Sequence, residues 1–130
     1  MSVNMKHASN IAKGVVESID FNGLEWAEVS VVFQVDDEGF VTNTYGYSYD
    51  DDGKPTAIAP DIDNVEEPVR AYREWLRQEG DKGFTRMLFQ FNRNTLKVKA
   101  DFEYDNVARW KVTPANIDTI TEELRPRLGE

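Results

Sequence analysis

The sequence predicts an α+β domain: an antiparallel sheet of about four strands with helices packed on one face, in the order α-β-β-α-β-β-α. Three observations predict it. Apolar residues fall at helical spacing in three places, and two pairs of alternating segments are each joined by a short turn. A chain of 130 residues, 40% hydrophobic and 30% charged, has enough apolar material for one core and little for a second. Residues 1–130 are therefore expected to form a single domain, with no linker, low-complexity tract or repeat to divide them.

The elements follow in chain order. In residues 3–19, Ala8, Ile11, Ala12, Val15, Val16 and Ile19 keep helical spacing, with Gly14 a weak point and Asn22-Gly23 a natural stop. Residues 24–35 alternate, with Val29, Val31, Phe33 and Val35 on one face and Trp26 out of phase. Asp36-Asp37-Glu38-Gly39 turns this strand into a second one at residues 40–49. A polar loop is expected through Lys54-Pro55 and Ala59-Pro60. Val65, Val69, Tyr72, Trp75 and Leu76 then mark an amphipathic helix that ends near Gly80. Asn64 and Glu67 have the spacing of a capping box, whereas Pro68 argues for a start nearer to itself.

Residues 85–91 place Met87, Phe89 and Phe91 on one side, and Asn92-Arg93-Asn94 can turn. Leu96, Val98, Ala100, Phe102 and Tyr104 then alternate with Lys97, Lys99, Asp101 and Glu103. The closing helix is expected to start at Thr113-Pro114, a hydroxyl cap followed by proline. It would bury Ile117, Ile120, Leu124 and Leu128, with Pro126 weakening its last turn.

Composition narrows the function. There is no cysteine, so disulfides, thiolate metal sites and thiol nucleophiles are excluded, and a reducing cytoplasm suits the chain. No apolar run is long enough for a signal peptide or a membrane span. The net charge is −9, which repels nucleic acid and anionic lipid, so neither is an expected partner and a basic protein is the easier one. The charge is uneven. Residues 1–68 hold three lysines against fourteen acids, a net −11, and residues 69–130 carry a net +2. Most of the excess lies in Asp36-Asp37-Glu38, in Asp50-Asp51-Asp52 and in residues 61–67, each beside glycine or proline and so in turns or loops.

No reaction can be assembled from these residues. His7 stands alone, with no second imidazole or thiolate to share a metal. Ser9, Ser18, Ser30 and Ser48 have no nucleophile-elbow context, and the glycines form neither a phosphate loop nor a dinucleotide fingerprint. Residues 48–53 imitate the opening of a calcium loop, but its twelfth position is Ala59, where a bidentate glutamate is required. Three successive aspartates repel one another and a divalent cation would relieve that, yet a solvated turn explains them as well. A metal-dependent nuclease built on Asp101 and Glu103 would need a lysine at position 105, which is Asp105. The chain is expected to be no enzyme and to hold no cofactor and no metal.

The candidate partner-binding residues are Asp36, Asp37, Glu38, Tyr45, Tyr47, Tyr49, Asp50, Asp51 and Asp52. Tyr45, Tyr47 and Tyr49 line one face of the second strand and run into the aspartates. Two roles fit them: cover for the hydrophobic sheet face, or a contact surface of rigid aromatic area whose acidic rim steers a cationic partner. Trp26 and Trp75 carry the same two readings, and Trp110, ahead of the closing helix, is a packing anchor.

Phe89-Gln90-Phe91, a short turn, then Leu96 through Asp105 with its closing Tyr104-Asp105 pair, followed by Trp110 and a helix, resembles the YezG-like immunity proteins of bacterial toxin systems. The likeness is sharpest from Phe89 to Leu124 and extends loosely upstream. It implies a small cytoplasmic antitoxin that binds a cognate basic toxin, often a nuclease, without catalysis. The long loop of residues 50–64 and Pro126 depart from that pattern. The alternative is a sensory or regulatory domain that takes a small ligand between sheet and helices. The oligomeric state is left open.

Overall fold

Residues 29–33, the middle of the strand Glu28–Val35 (β1), have no exposure at all, because β1 has a strand on each side and a layer on each face. The computed structural model describes residues 3–21, 26–80, 82–106 and 109–126. The expected stop at Asn22-Gly23, the strand start at Leu24 and the stripe position Leu128 lie outside these residues, as does the side chain of Ile19.

The helix Val3–Phe21 (α1) leads into β1, which turns into Val41–Tyr49 (β2) and then Pro55–Ile58 (β3). The helix Ile62–Gln78 (α2) follows, then Arg86–Asn92 (β4), Val98–Glu103 (β5) and the short helix Ile117–Glu123 (α3). The sheet is antiparallel, in the order β3-β2-β1-β4-β5. It has five strands, one more than the alternation predicts. β3 lies in the stretch read as loop, hidden by its four-residue length and by a proline at its first position, where an edge strand tolerates one.

On one face, Val29, Val31 and Phe33 of β1 pair across with Phe91, Phe89 and Met87 of β4. Ala8, Ile11, Ala12 and Val15 of α1 and Val65, Val69 and Tyr72 of α2 bury against them in one cluster. The two helices run antiparallel: Ser18 Oγ accepts from the Asp61 N–H at 2.8 Å, and His7 stacks on Tyr72 at 5.5 Å. Trp26 joins this core and Trp75 packs at its margin.

α3 does not share that face. Val32 and Leu88, on the opposite side of the sheet, cluster with Trp110, Ile120 and Leu124, so the closing segment forms a third layer. The expectation of helices on one face thus holds for α1 and α2 and fails for α3. The physical reason lies in β1, which is apolar at Val32 as well as at its odd positions and needs cover on both sides.

Three local expectations also change. The cap of α2 is Asp61, whose Oδ1 accepts from the Asp63 N–H at 3.2 Å, and Pro68 sits inside the helix. α3 begins at Ile117 instead of Pro114, because Asn116 Oδ1 takes the Thr113 N–H at 2.8 Å and holds residues 113–116 as turn; Ile117 is left exposed. Leu96 is not a strand residue. It occupies a left-handed turn conformation (φ 61°) and is 68% exposed, so β5 starts at Val98.

Candidate functional site

Strand alternation sends Tyr45, Tyr47 and Tyr49 to the face opposite α1 and α2, beside Val32, Ser30 and Glu28 of β1. There they meet the closing segment. Tyr49 is 1% exposed and donates its hydroxyl to the Thr121 carbonyl at 2.6 Å, beneath the Arg125 guanidinium 4.7 Å from its ring centre. Burial pushes its phenol pKa well up, with Arg125 opposing. Tyr45 donates to the Trp110 carbonyl at 2.9 Å, and burial raises its phenol too, against Gln34 and Arg86. Tyr47 stays half-buried, without such an anchor among the described residues. One of the three tyrosines is therefore interior, and two present part of their rings outward.

The end of α3 is tied down by the same face. A helix leaves its last carbonyls without intrahelical donors, and here Ser30 Oγ and Gln90 Nε2 both donate to the Leu124 carbonyl, the latter at 3.1 Å. Asn116 Nδ2 donates to the Lys111 carbonyl at 2.8 Å, which closes residues 111–116 into a tight loop. Trp110 takes a left-handed backbone conformation (φ 64°) while 8% exposed, a geometry that bulky residues adopt only where packing imposes it.

Two hollows flank this closing segment. Over β2 and β3 lies an open groove of about 350 Å³, walled by Tyr45, Tyr47 and Ala57 on the sheet and by Lys111 and Val112 above it, with Gln34 and Asn43 at one end. Its lining is largely apolar. Over β4 and β5 lies a polar hollow of about 260 Å³ with Gln90, Lys99, Asp101, Glu123 and Arg125 on its walls. Lys99 and Asp101 pair there at 3.7 Å.

Of the three acidic stretches expected in turns or loops, residues 61–67 instead form the cap and first turns of α2, where apolar Val65 and Val69 bury against the sheet; the other two become near-identical turns. In the first, Asp36 Oδ1 accepts from the N–H groups of Glu38 and Phe40, at 2.9 and 3.0 Å. In the second, Asp50 Oδ1 accepts from Asp52 and Lys54, both at 2.9 Å. Gly39 and Gly53 close them with φ of 90° and 81°, a region that disfavours any side chain. Asp36 and Asp50 thus hold their own loops. Asp37, Glu38, Asp51 and Asp52 are exposed and make no ion pair among the described residues. One turn joins β1 to β2 and the other β2 to β3, so they stand at opposite ends of the sheet, roughly 27 Å apart along β2. The acids do not form one patch; the groove opens toward the first turn at Gln34 and Asn43, and buried Tyr49 with Arg125 above it separates the groove from the second.

Neither a protein-family model nor any curated protein matches this chain.

The residues from Phe89 to Leu124 are those from which the sequence resemblance is drawn. Within them Asp101 and Glu103 share the face of the polar hollow, but each is engaged. Glu103 Oε2 accepts from the N–H groups of Asn106, Asp105 and Tyr104 at 3.0 to 3.1 Å, and Oε1 meets Arg109 at 2.9 Å. The Asn106 N–H first, then Arg109 and the Asp105 N–H, pull its carboxyl down to about 2. His7 packs on Tyr72 and Trp75, and among the described residues no three His, Asp or Glu side chains converge to hold a metal. No helix among them is long and apolar enough to cross a membrane.

Sequence reasoning missed the roof of the groove. Asn43 is in phase with the tyrosines and Ala57 follows once β3 is recognised, whereas nothing in the periodicity places Lys111 and Val112 over β2.

Proposed function

We propose that the chain is a non-catalytic immunity protein, which binds a basic protein toxin in the cytoplasm of the cell that makes both and blocks it. A nuclease is the toxin class its charge suits, because a nuclease presents cations to phosphate and carboxylates can satisfy them instead. The observation that carries this reading is the set of four exposed carboxylates, Asp37, Glu38, Asp51 and Asp52, in the turns at either end of β2, the strand whose Tyr45 and Tyr47 wall the groove. The sheet order supports it. β1, β2 and β3 lie side by side, so the turns that carry Asp36–Glu38 and Asp50–Asp52 both fall on the β2 side of the sheet, away from β4 and β5.

The test is co-expression with the toxin encoded by the neighbouring gene. Cells carrying this chain survive, and association of the purified pair slows steeply as salt rises from 0.05 to about 0.5 M, where the screening length falls below roughly 5 Å. Failure to protect against that toxin overturns the reading.

The groove volume also favours a second reading, since about 350 Å³ falls within the size of small-molecule sites. A small ligand would then sit outside the interface between the sheet and α1 and α2, which the core fills. It would raise the melting temperature with no protein partner present.

A further inference from the structure

We propose that the outer edge of β5 pairs with the same edge of a second copy of this chain, strand antiparallel to strand, about a two-fold axis at Ala100. This goes beyond the toxin-binding reading and does not rest on it. The phase of β5 is fixed at both of its ends. The Asn92 N–H donates to the Lys97 carbonyl at 3.0 Å and the Thr85 N–H to the Glu103 carbonyl at 2.9 Å, so the odd-numbered residues of β5 turn their backbones toward β4. Val98, Ala100 and Phe102 therefore point theirs outward, and among the described residues no main-chain group bonds them on that side. The opposite edge of the sheet is closed to such pairing. The bond from the Asp50 N–H to the Lys54 carbonyl, 3.1 Å, turns Pro55 and Ala57 outward on β3, and proline has no N–H to give. β5 holds no proline, and its register with β4 is unbroken.

The side chains choose the occupant. Charges on an edge strand ordinarily keep other strands away, but here their order is self-complementary. With Ala100 opposite Ala100 of the second copy, Lys99 meets Asp101 and Lys97 meets Glu103, each contact repeated by the symmetry. Lys97 is exposed and makes no ion pair within its own chain among the described residues. Lys99 and Asp101 already pair at 3.7 Å, so in the dimer these two residues of both copies alternate in sign around the axis. On the face that carries α1 and α2, half-buried Val98 meets half-buried Phe102. Slipping the pairing by two residues sets Lys99 against Lys99 or Asp101 against Asp101, and slipping it by one breaks the bonding phase. One register therefore satisfies charge and main chain together. It joins the two sheets edge to edge and leaves β2 and β3, with their acidic turns, toward the far ends.

The experiment is sedimentation of the full chain at micromolar concentration, which gives a mass twice 14.9 kDa. Lys99→Asp and Asp101→Lys each weaken the dimer at least tenfold when present alone, because like charges then meet across the axis. Mixed in equal amounts, the two variants associate with wild-type affinity, since acid again faces base at both pairs. Glu103 is left intact because it holds the turn after β5. Under mild oxidation Ala100→Cys, in a chain with no other cysteine, gives a disulfide-linked dimer, as the two copies of residue 100 stand about 5.5 Å apart. Val98→Cys gives none, because its own copy lies roughly 13 Å away along the strands. A monomeric wild type overturns the assignment, and so does a dimer that Lys99→Asp leaves intact. A mixture of the two charge variants that stays monomeric overturns it as well. A monomer whose Val98, Ala100 and Phe102 amide resonances shift only when toxin is added gives this edge to the toxin and removes the second copy from it.

Discussion

The Glu103 carboxylate accepts three consecutive backbone N–H groups and an arginine at the end of β5, where the chain leaves the sheet for Trp110. Its folded pKa, about 2, lies below the ordinary value of 4.5. Folding is therefore favoured by this group above about pH 4.5, and that contribution fades as pH falls toward 2. Urea unfolding followed from pH 5 to 2 shows a stability slope that is shallower in Glu103→Gln, and an NMR titration places the Glu103 carboxyl well below the ordinary 4.5. Asp36 and Asp50 do related work in their turns. Their spacing to Gly39 and Gly53 was visible in the sequence as a turn signal, but the same letters also read as a contact surface. Only the coordinates separate the aspartate that bonds its own loop from the two acids after it that face water.

Gly14 and Pro68 explain how α1 and α2 fit together. Proline at position 68 cannot donate to the Asn64 carbonyl four residues earlier, and that carbonyl faces Gly14 of α1. A Cβ on Gly14 would stand 2.3 Å from the Asn64 oxygen. Glycine to alanine inside an isolated helix gains up to about 1 kcal/mol. Here overpacking reverses the sign, and Gly14→Ala loses about 1–3 kcal/mol, measured by urea unfolding. The long elements were legible because their periodicity spans many residues: α1, β1, β2, α2 and β4 fall close to where the apolar spacing puts them. The short ones were not. β3 has four residues and α3 seven, too few for a period to declare itself, and competing turn bonds to Asn116 displaced the start of α3 from its Thr-Pro signal.

At the scale of the molecule, the α+β class and the antiparallel sheet were readable, and the side on which the chain closes was not. Ile120 and Leu124 announce a buried stripe without saying which face of the sheet receives it. That choice rests on long-range partners, Ser30 and Gln90 on the sheet meeting the Leu124 carbonyl, 94 and 34 residues away in sequence. The candidate site inherits the same limit. Its floor is strand alternation and was legible in part, while its roof and the separation of the acidic turns depend on topology. Enclosure of β1 on all four sides also orders how the chain opens. Fraying of β3 or β5 leaves β1 paired on both edges, and release of α3 still leaves α1 and α2 in place, so its amide protons reach solvent only when everything lets go. In deuterium, Val31 and Val32 are the last to exchange, at a rate set by global unfolding, while Thr56 and Ala57 exchange early; one sample thus reports both the stability of the whole and the looseness of the groove's outer wall.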